Sequence, residues 1–327
     1  MFATPLPGLH PSEDPIRLAD WVELNLLLDE ELTVSVTSIT DELSDTPPDD
    51  AASSERRFSG EGQESPGYWE SAEEMAETAL SELVSRATWL GDGYPLAISG
   101  DAAMLSGVIA RRDTYRFLVA LRARHLYADA LGDDGATSGL IFEELSKHAL
   151  GSYLGADYAH RVRFGTAGGH RGDDLPDDLS RAVRVLCQRL HEAPGQIPDS
   201  GRDDYRADVV AWKPFGDDRP GQLVAIGQAT ISEREWLKKE PASRWTDRKP
   251  ATERLVNFLA RPVTIVAFAE TLSLTRQDTL AGLASSFSSI PFDRLRLLSV
   301  LQDSEVPEPL RSQMNEWAET IRDRLLA

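Results

Sequence analysis

The spacing of apolar residues predicts helices through the front third of the chain. Apolar positions recur every three or four residues in three stretches, 20–31, 71–90 and 111–131. Such spacing is typical of amphipathic helices. The second helix is predicted to begin at Ser71, because Glu74 follows it at the spacing of a capping box. The front of the protein is therefore predicted to be mostly helical.

Two polar stretches divide the chain. Residues 44–67 are rich in Pro, Asp, Ser, Gly and Glu and hold few apolar side chains, so they predict a flexible insert. Residues 132–139 (GDDGATSG) predict a loop, which we take as a domain boundary. The organisation expected is an acidic, mostly helical N-terminal domain of residues 1–135 and a second domain of residues 136–327.

The second domain mixes helical and strand periods. Helices are predicted at 140–154, 178–192 and 308–326, and strands at 207–213, 222–230 and 263–268. Residues 215–221 (FGDDRPG) carry the turn residues of a hairpin between the first two strands. Residues 291–300 suit either another strand or a short helix. The pattern indicates an α+β fold with an α/β core.

Acidic residues concentrate at the front of the chain. The formal net charge is -20, and residues 1–90 carry 20 acidic against 4 basic residues, whereas the remainder has a net charge of only -4. Phosphate contacts need Lys and Arg, so the front half disfavours nucleic acid. The nearly neutral rear half, with its clustered arginines, is still able to engage DNA locally.

The sequence contains neither a candidate membrane-spanning segment nor a pair of cysteines. No apolar run approaches the roughly 18 residues needed to span a bilayer, and no basic segment followed by an apolar block indicates a secretory signal. Cys187 is the single cysteine, which excludes an internal disulfide and a thiolate metal cluster. We therefore predict a cytoplasmic protein without a membrane partner, and we expect Cys187 to be a small core residue.

The predicted hairpin carries two polar residues that would meet at one end of the sheet. Asp208 leads directly into the apolar run Val209–Trp212, and Gln228 is the first polar side chain after the apolar run of the paired strand. Antiparallel neighbours start and finish together, so the hairpin brings Asp208 and Gln228 to the same edge. An amide oxygen is a weak, uncharged metal ligand, and it can also orient a water molecule.

The helix before the hairpin offers one further acid. At about 100° per residue, its buried arc is predicted to consist of Phe142, Leu145, Ala149, Leu150 and Tyr153. Glu143 lies at the border of this arc, and Glu144 is predicted to point towards solvent. Glu143 is therefore the acid that is able to reach the sheet edge, although a solvated helix residue is the common alternative.

The order of these residues resembles the PD-(D/E)XK, or restriction-endonuclease-like, superfamily, in a divergent form found beside bacterial phage-defence genes. The resemblance covers about the last 190 residues and rests mainly on RADVVAWKPFGDDRPGQLVAIGQAT. It implies an αβββαβ core with a mixed sheet flanked by helices, and Mg²⁺- or Mn²⁺-dependent hydrolysis of DNA. By this resemblance Asp208 is the aspartate, Gln228 stands for the second-strand acid, and Glu143 is the helix acid, all three binding metal.

The sequence departs from the acid-x-lysine signature of that superfamily. Gln228 is an amide, and Thr230 stands where the lysine is expected. Members of the superfamily sometimes recruit the lysine from the following helix, where Lys238 and Lys239 occur. Lys239 shares the face of Trp236 better than Lys238 does, so we assign Lys239 as the fourth catalytic residue.

The function predicted is a metal-dependent DNA endonuclease of anti-phage defence or restriction, working with DNA and with a protein partner or as a homo-oligomer. One alternative is a non-catalytic DNA- or protein-binding subunit on a degenerate nuclease fold, docking through its acidic helical domain. Another is that the acidic front mimics DNA. The Arg-rich stretch 161–171 suits either a loop that tracks the DNA backbone or a plain surface loop.

Overall fold

A computed structural model describes most of the chain as two compact units. The described residues are 6, 15–29, 32–45, 72–105, 112–127, 131, 135–166, 169–173, 175–197, 205–232, 245, 253–272 and 288–327. The first unit comprises Met1–Gly132, Leu272–Gln277 and Ala318–Ala327, and the second comprises Asp133–Thr271 and Asp278–Trp317. Residues 46–67 of the predicted insert lie outside the described part, as do Ser71, Trp236 and both lysines, Lys238 and Lys239.

The first unit combines four helices with a small antiparallel sheet among its described residues. The elements are α1 (Pro15–Leu28), β1 (Thr33–Ser35), α2 (Val36–Asp45), α3 (Ala72–Leu90), β2 (Leu96–Ser99), β3 (Ala102–Leu105) and α4 (Arg112–Leu126). The strands pair in the order β1-β3-β2. The predicted helices of this region are confirmed, but the sheet was not predicted, because strands of three or four residues are too short to show a period of two.

Helix α1 is buried on every side rather than on one face. Its polar residues Asp20, Glu23 and Asn25 are fully buried together with apolar residues such as Trp21. A helix that is buried all round has no solvent-facing stripe. The predicted helix is therefore confirmed. The prediction that one side of it faces solvent is wrong, because its polar residues are buried as well.

The buried carboxylates of α1 are paired with arginines. Arg86 Nη1 on α3 lies 2.9 Å from both Asp20 Oδ1 and Glu23 Oε2, and Arg122 Nε on α4 lies 2.8 Å from Asp20 Oδ2. Tyr94 donates its hydroxyl to Glu23. Burial by itself would lower the pKa of Arg86, but the nearby carboxylates of Glu23 and Asp20 outweigh it and raise this pKa. These ion pairs join three helices inside the first unit.

The second unit is built from helices around one larger sheet. Its elements are α5 (Gly135–Gly155), β4 (His160–Arg163), α6 (Leu179–Leu190), β5 (Ala193–Pro194), β6 (Val209–Lys213), β7 (Leu223–Thr230), β8 (Val256–Asn257), β9 (Val263–Phe268), β10 (Ile290–Phe292), α7 (Arg294–Val300) and α8 (Glu308–Leu326), whose residues from Ala318 belong to the first unit. Residues 291–300 therefore hold both a strand end and a short helix.

The large sheet is mixed, in the order β10-β9-β7-β6-β4. Strands β4, β6 and β7 pair antiparallel, whereas β9 runs parallel to both β7 and β10. The predicted hairpin is confirmed, with Val209 opposite Gly227 and Lys213 opposite Leu223. The prediction of a mixed α and β fold containing a mixed sheet is thus correct at that level.

Helices cover both faces of this sheet. Helix α5 packs closely because Gly227 has no side chain, and a Cβ there would lie 2.9 Å from Leu150 Cδ2. Val210 and Ile226 point to the opposite face, since side chains alternate along a strand, and they share a core with α6. Cys187 of α6 lies in that core, as expected, and burial raises the pKa of its thiol to about 12.

Among the described residues, no helix combines the length and the apolar character that crossing a membrane would require.

The buried ion pairs of the first unit make a testable prediction. Arg86→Met should lower the free energy of unfolding by about 3–5 kcal/mol, because it removes the buried cation that Asp20 and Glu23 share. Urea denaturation followed by circular dichroism measures the change. The matched control is Arg324→Met, which removes an exposed arginine of the same unit that donates to Leu131 O, and it should cost less than about 1 kcal/mol. Equal effects of the two changes would contradict the prediction.

Candidate functional site

Asp208 is held at the start of β6 by hydrogen bonds to both neighbouring strands. Its N–H donates to Gly227 O at 2.9 Å, and its carbonyl oxygen accepts from Phe164 N at 2.7 Å and Gly165 N at 2.8 Å. Its carboxylate Oδ2 accepts from Ala229 N at 2.7 Å. Asp208 is buried. The residue therefore joins the segment after β4 to the end of β7.

Gln228 lies on β7 beside the residues that bind Asp208. Its two chain neighbours, Gly227 and Ala229, are the residues that hydrogen-bond to Asp208. Gln228 is buried, and its Oε1 has no hydrogen-bond partner in the part of the chain that the structure describes. A buried oxygen without a partner costs about 1–3 kcal/mol, so this atom is a candidate ligand for a cation or a water molecule.

Glu143 reaches the same end of the sheet from α5. Its carboxylate lies against Gly165, where a Cβ would be only 2.6 Å from Glu143 Oε2. Gly165 in turn donates its N–H to Asp208 O. A side chain at this position would displace the Glu143 carboxylate. The structure thus brings Glu143, Asp208 and Gln228 to one end of the sheet, with Gly165 between the first two.

Arg163, at the end of β4, contacts Glu143 and was not identified from the sequence. Its Nη1 lies 3.3 Å from Glu143 Oε2, and its Nε lies 2.8 Å from Glu144 Oε1. The guanidinium also donates to the carbonyl oxygens of Gly165, at 3.2 Å, and His170, at 3.0 Å. Arg163 is buried, so its charge is directed at these partners and away from solvent.

Two expectations about α5 are wrong. Glu144 does not point freely to solvent, because Arg163 Nε and Lys147 Nζ bind its carboxylate and leave its side chain 24% exposed. Tyr153, expected in the buried arc, is 50% exposed and packs edge-on against Phe292. Both errors have the same cause. Glu144 contacts Arg163 of β4 and Tyr153 contacts Phe292 of β10, and helical periodicity carries no information about which strands pack against the helix.

An additional pair completes the charged cluster. Lys147 Nζ lies 3.0 Å from Asp173 Oδ1, and Asp173 Oδ2 accepts from Arg163 N at 2.7 Å. The cluster, which we call the α5–β4 charge cluster, consists of Glu143, Glu144, Lys147, Arg163 and Asp173. It holds three carboxylates and two cations. The Glu144–Lys147 pair is the one part of this cluster that sequence spacing indicates, because the two residues lie three apart on one helix.

The Arg-rich stretch 161–171 mostly supports the protein itself. The Arg171 guanidinium donates to Phe164 O and lies 4.3 Å from the centre of the Phe164 ring. Arg161 packs beside Gly151, where a Cβ would lie 2.5 Å from its Cδ. His170 is 75% exposed and lies 2.8 Å from an oxygen of Asp177. These contacts favour the surface-loop interpretation over a loop that tracks a DNA backbone.

Thr230 occupies the position where the acid-x-lysine signature has its lysine. Thr230, two residues after Gln228, is buried on β7. Lys239, the predicted lysine, lies outside the described residues. The described strands and helices of the site supply Lys147 instead, which is engaged with Glu144 and Asp173.

The oxygen donors at the sheet end suit a hard divalent cation. Within the described ranges, no group of three or more His, Cys, Asp and Glu side chains is arranged to hold a metal ion. Mg²⁺, however, usually takes only one or two carboxylates from a protein. Asp208 and Glu143 supply carboxylates of this kind, and Gln228 Oε1, which has no hydrogen-bond partner among the described residues, supplies a further oxygen.

His148 lies on the same helix as Glu143 and is buried without a partner for its Nδ1 in the described part of the chain. Burial, together with the charges of Arg161 and Lys147, lowers its pKa to about 4, against an opposing contribution from Asp173. A neutral imidazole at pH 7 follows. His148 is therefore a core residue of α5 that resists protonation.

The lowered pKa of His148 predicts a pH-dependent stability. Between pH 6.5 and about 4 the unfolded chain binds a proton that the folded chain does not, so stability is lost as the pH falls through this range. From pH 7 to pH 5 the loss from this residue should be about 2 kcal/mol. Urea denaturation at both pH values should show a smaller loss for His148→Gln than for the unmodified protein, and an identical loss would contradict the lowered pKa.

No protein-family model, no curated protein and no solved structure matches this chain significantly.

Proposed function

We propose that the second unit is a divergent PD-(D/E)XK domain that hydrolyses phosphodiester bonds of DNA with the help of a divalent cation. The observation that carries the proposal is that Asp208, Gln228 and Glu143 all lie at one end of the sheet, and that Gln228 Oε1 has no hydrogen-bond partner among the described residues. Carboxylate and amide oxygens are the ligands that a hydrated Mg²⁺ or Mn²⁺ prefers.

The order of elements supports this proposal. Helix α5 is followed by β4, β6 and β7, which pair antiparallel, and then by β9, which runs parallel to β7. This is the strand order that the αβββαβ arrangement implies, with α6 as an extra helix between the first two strands. The helix that the arrangement requires between β7 and β9 would fall mainly on residues outside the described part.

The chain's own residues have definable tasks in this proposal. Asp208, Glu143 and Gln228 would hold the cation, which supplies charge neutralisation and a more acidic bound water. The N–H of Ala229 fixes one oxygen of Asp208, so the carboxylate is already oriented. Lys239 would orient the attacking water. On the resemblance alone, we extend the proposal to a cytoplasmic role in anti-phage defence or restriction, with DNA as substrate and a protein partner or a second copy.

A non-catalytic binding subunit is the second candidate, and one observation favours it. Arg163 already neutralises Glu143, and Thr230 stands in the lysine position. A domain that no longer binds metal and has no catalytic lysine would keep its fold, and Arg163 would pair with Glu143 in place of the metal ion. Under this candidate the acidic first unit would contact the partner.

Metal binding separates the two candidates. Mn²⁺ should bind to the purified protein in isothermal titration calorimetry, and Asp208→Asn should abolish that binding because one ligand charge is lost. Asp218→Asn is the matched control. Asp218 lies 89% exposed in the turn of the hairpin at positive φ, a conformation that Asn adopts as readily as Asp, so this change should leave Mn²⁺ binding intact.

DNA cleavage should follow the same pattern. With Mg²⁺ or Mn²⁺, the unmodified protein and the Asp218→Asn variant should cut linear, circular or single-stranded DNA, and Asp208→Asn should not. If every DNA form remains intact and Mn²⁺ does not bind, the binding-subunit candidate replaces the nuclease.

The assignment of the lysine has its own test. Lys239→Ala should lower kcat for DNA cleavage by about a hundredfold, the usual contribution of one group that transfers or orients a proton, with little change in KM. Lys238→Ala is the matched neighbour and should leave kcat nearly unchanged. A larger loss in the Lys238 variant would move the role to that residue.

A further inference from the structure

We propose that Arg163 is a built-in counter-cation that competes with the divalent ion for Glu143 and so sets the metal affinity of the site. The inference rests on the proposed function, because it concerns the same three metal-binding residues. It adds a positioning residue that the resemblance does not supply, since Arg163 lies at the end of β4 and outside the acid-x-lysine signature.

The geometry fixes the guanidinium firmly beside Glu143. Nη1 contacts Glu143 Oε2 at 3.3 Å and donates to Gly165 O, while Nη2 donates to His170 O at 3.0 Å and Nε to Glu144 Oε1 at 2.8 Å. Each of the three nitrogens therefore has a partner. Gly172 leaves room for this placement, since a Cβ there would lie 3.0 Å from Arg163 Nε.

Within the α5–β4 charge cluster, the pair that a metal ion would compete with is Arg163–Glu143. Glu144 has a second cation, Lys147 Nζ, at 2.6 Å, and Asp173 is bound to that same lysine. Glu143 is the carboxylate that Arg163 contacts at the sheet end, beside Gly165, whose N–H donates to the carbonyl oxygen of Asp208. A divalent ion that binds Glu143 must therefore approach a buried positive charge.

The physical consequence is a repulsion that the site has to overcome. A guanidinium stays charged over the whole working pH range, so deprotonation does not relieve the repulsion. The interaction of like charges a few ångströms apart is strong in a partly buried site. Arg163 thus orients the carboxylate of Glu143 and weakens its hold on the cation.

Removing the charge tests the inference. Arg163→Gln should bind Mn²⁺ about tenfold more tightly than the unmodified protein in calorimetry. Arg163→Lys keeps the charge and should bind within about twofold of the unmodified protein. A purely structural role predicts the opposite sign, because a loosened Glu143 would bind more weakly. Unchanged or weaker Mn²⁺ binding by folded Arg163→Gln would overturn the inference.

The dependence on Glu143 provides the internal control. In a Glu143→Gln background, the further change Arg163→Gln should alter Mn²⁺ affinity by much less than tenfold, because the shared carboxylate is gone. An undiminished effect in that background would overturn the inference. If Arg163→Gln fails to fold by circular dichroism, the comparison of Glu144→Gln with Glu144→Gln/Arg163→Gln replaces it, since that pair keeps the cluster closer to neutral.

Failure of this inference and failure of the proposed function give different results. Tighter Mn²⁺ binding by Arg163→Gln together with no DNA cleavage by any variant would retain Arg163 as the competitor and overturn the nuclease. Cleavage with no change in Mn²⁺ affinity would overturn the role of Arg163 alone. Absence of Mn²⁺ binding in both the unmodified protein and Arg163→Gln would overturn both.

Discussion

The hydrogen bonds of Asp208 to the segments on either side of it determine the geometry of the whole sheet end. Its backbone joins Gly227 on one side and Phe164 with Gly165 on the other, and its carboxylate accepts from Ala229. Because Gly165 is held by Asp208, the carboxylate of Glu143 has a fixed surface to lie against. A carboxylate with a structural hydrogen bond is not thereby excluded from metal binding, since ligating carboxylates are commonly hydrogen-bonded and oriented by such contacts.

Both units bury carboxylates and pair them with arginine, but in different surroundings. In the first unit Arg86 and its partners Asp20 and Glu23 are shut off from solvent. Such a cluster joins helices, and no ion in solution is able to replace the arginine. In the second unit the side chains around Arg163 retain some exposure, for example 24% for Glu144. Glu144 and Asp173, at the outer side of this cluster, are therefore in contact with water, whereas Glu143 and Arg163 are buried.

The parts of the fold that were predictable are those whose signal is local. The hairpin of β6 and β7 follows from two apolar runs joined by turn residues, and the core position of Cys187 follows from its helical neighbours. The sheet of the first unit was missed because its strands offer too few positions for a pattern. Helix α4 ends at Leu126, and residues 128–130 of the helix predicted to reach residue 131 lie outside the described part.

By itself, the sequence determined the order of Glu143, Asp208 and Gln228 and the meeting of the last two across a hairpin, because turn chemistry and alternation act over a few residues. Tertiary structure alone decided the place of Arg163 beside Glu143 and the inward turn of Glu144, since these residues lie 20 and 19 positions apart. Pairing over such a distance depends on which strand packs against α5, and helical periodicity does not encode that choice. The charge that faces the candidate metal site is therefore a property of the packed fold.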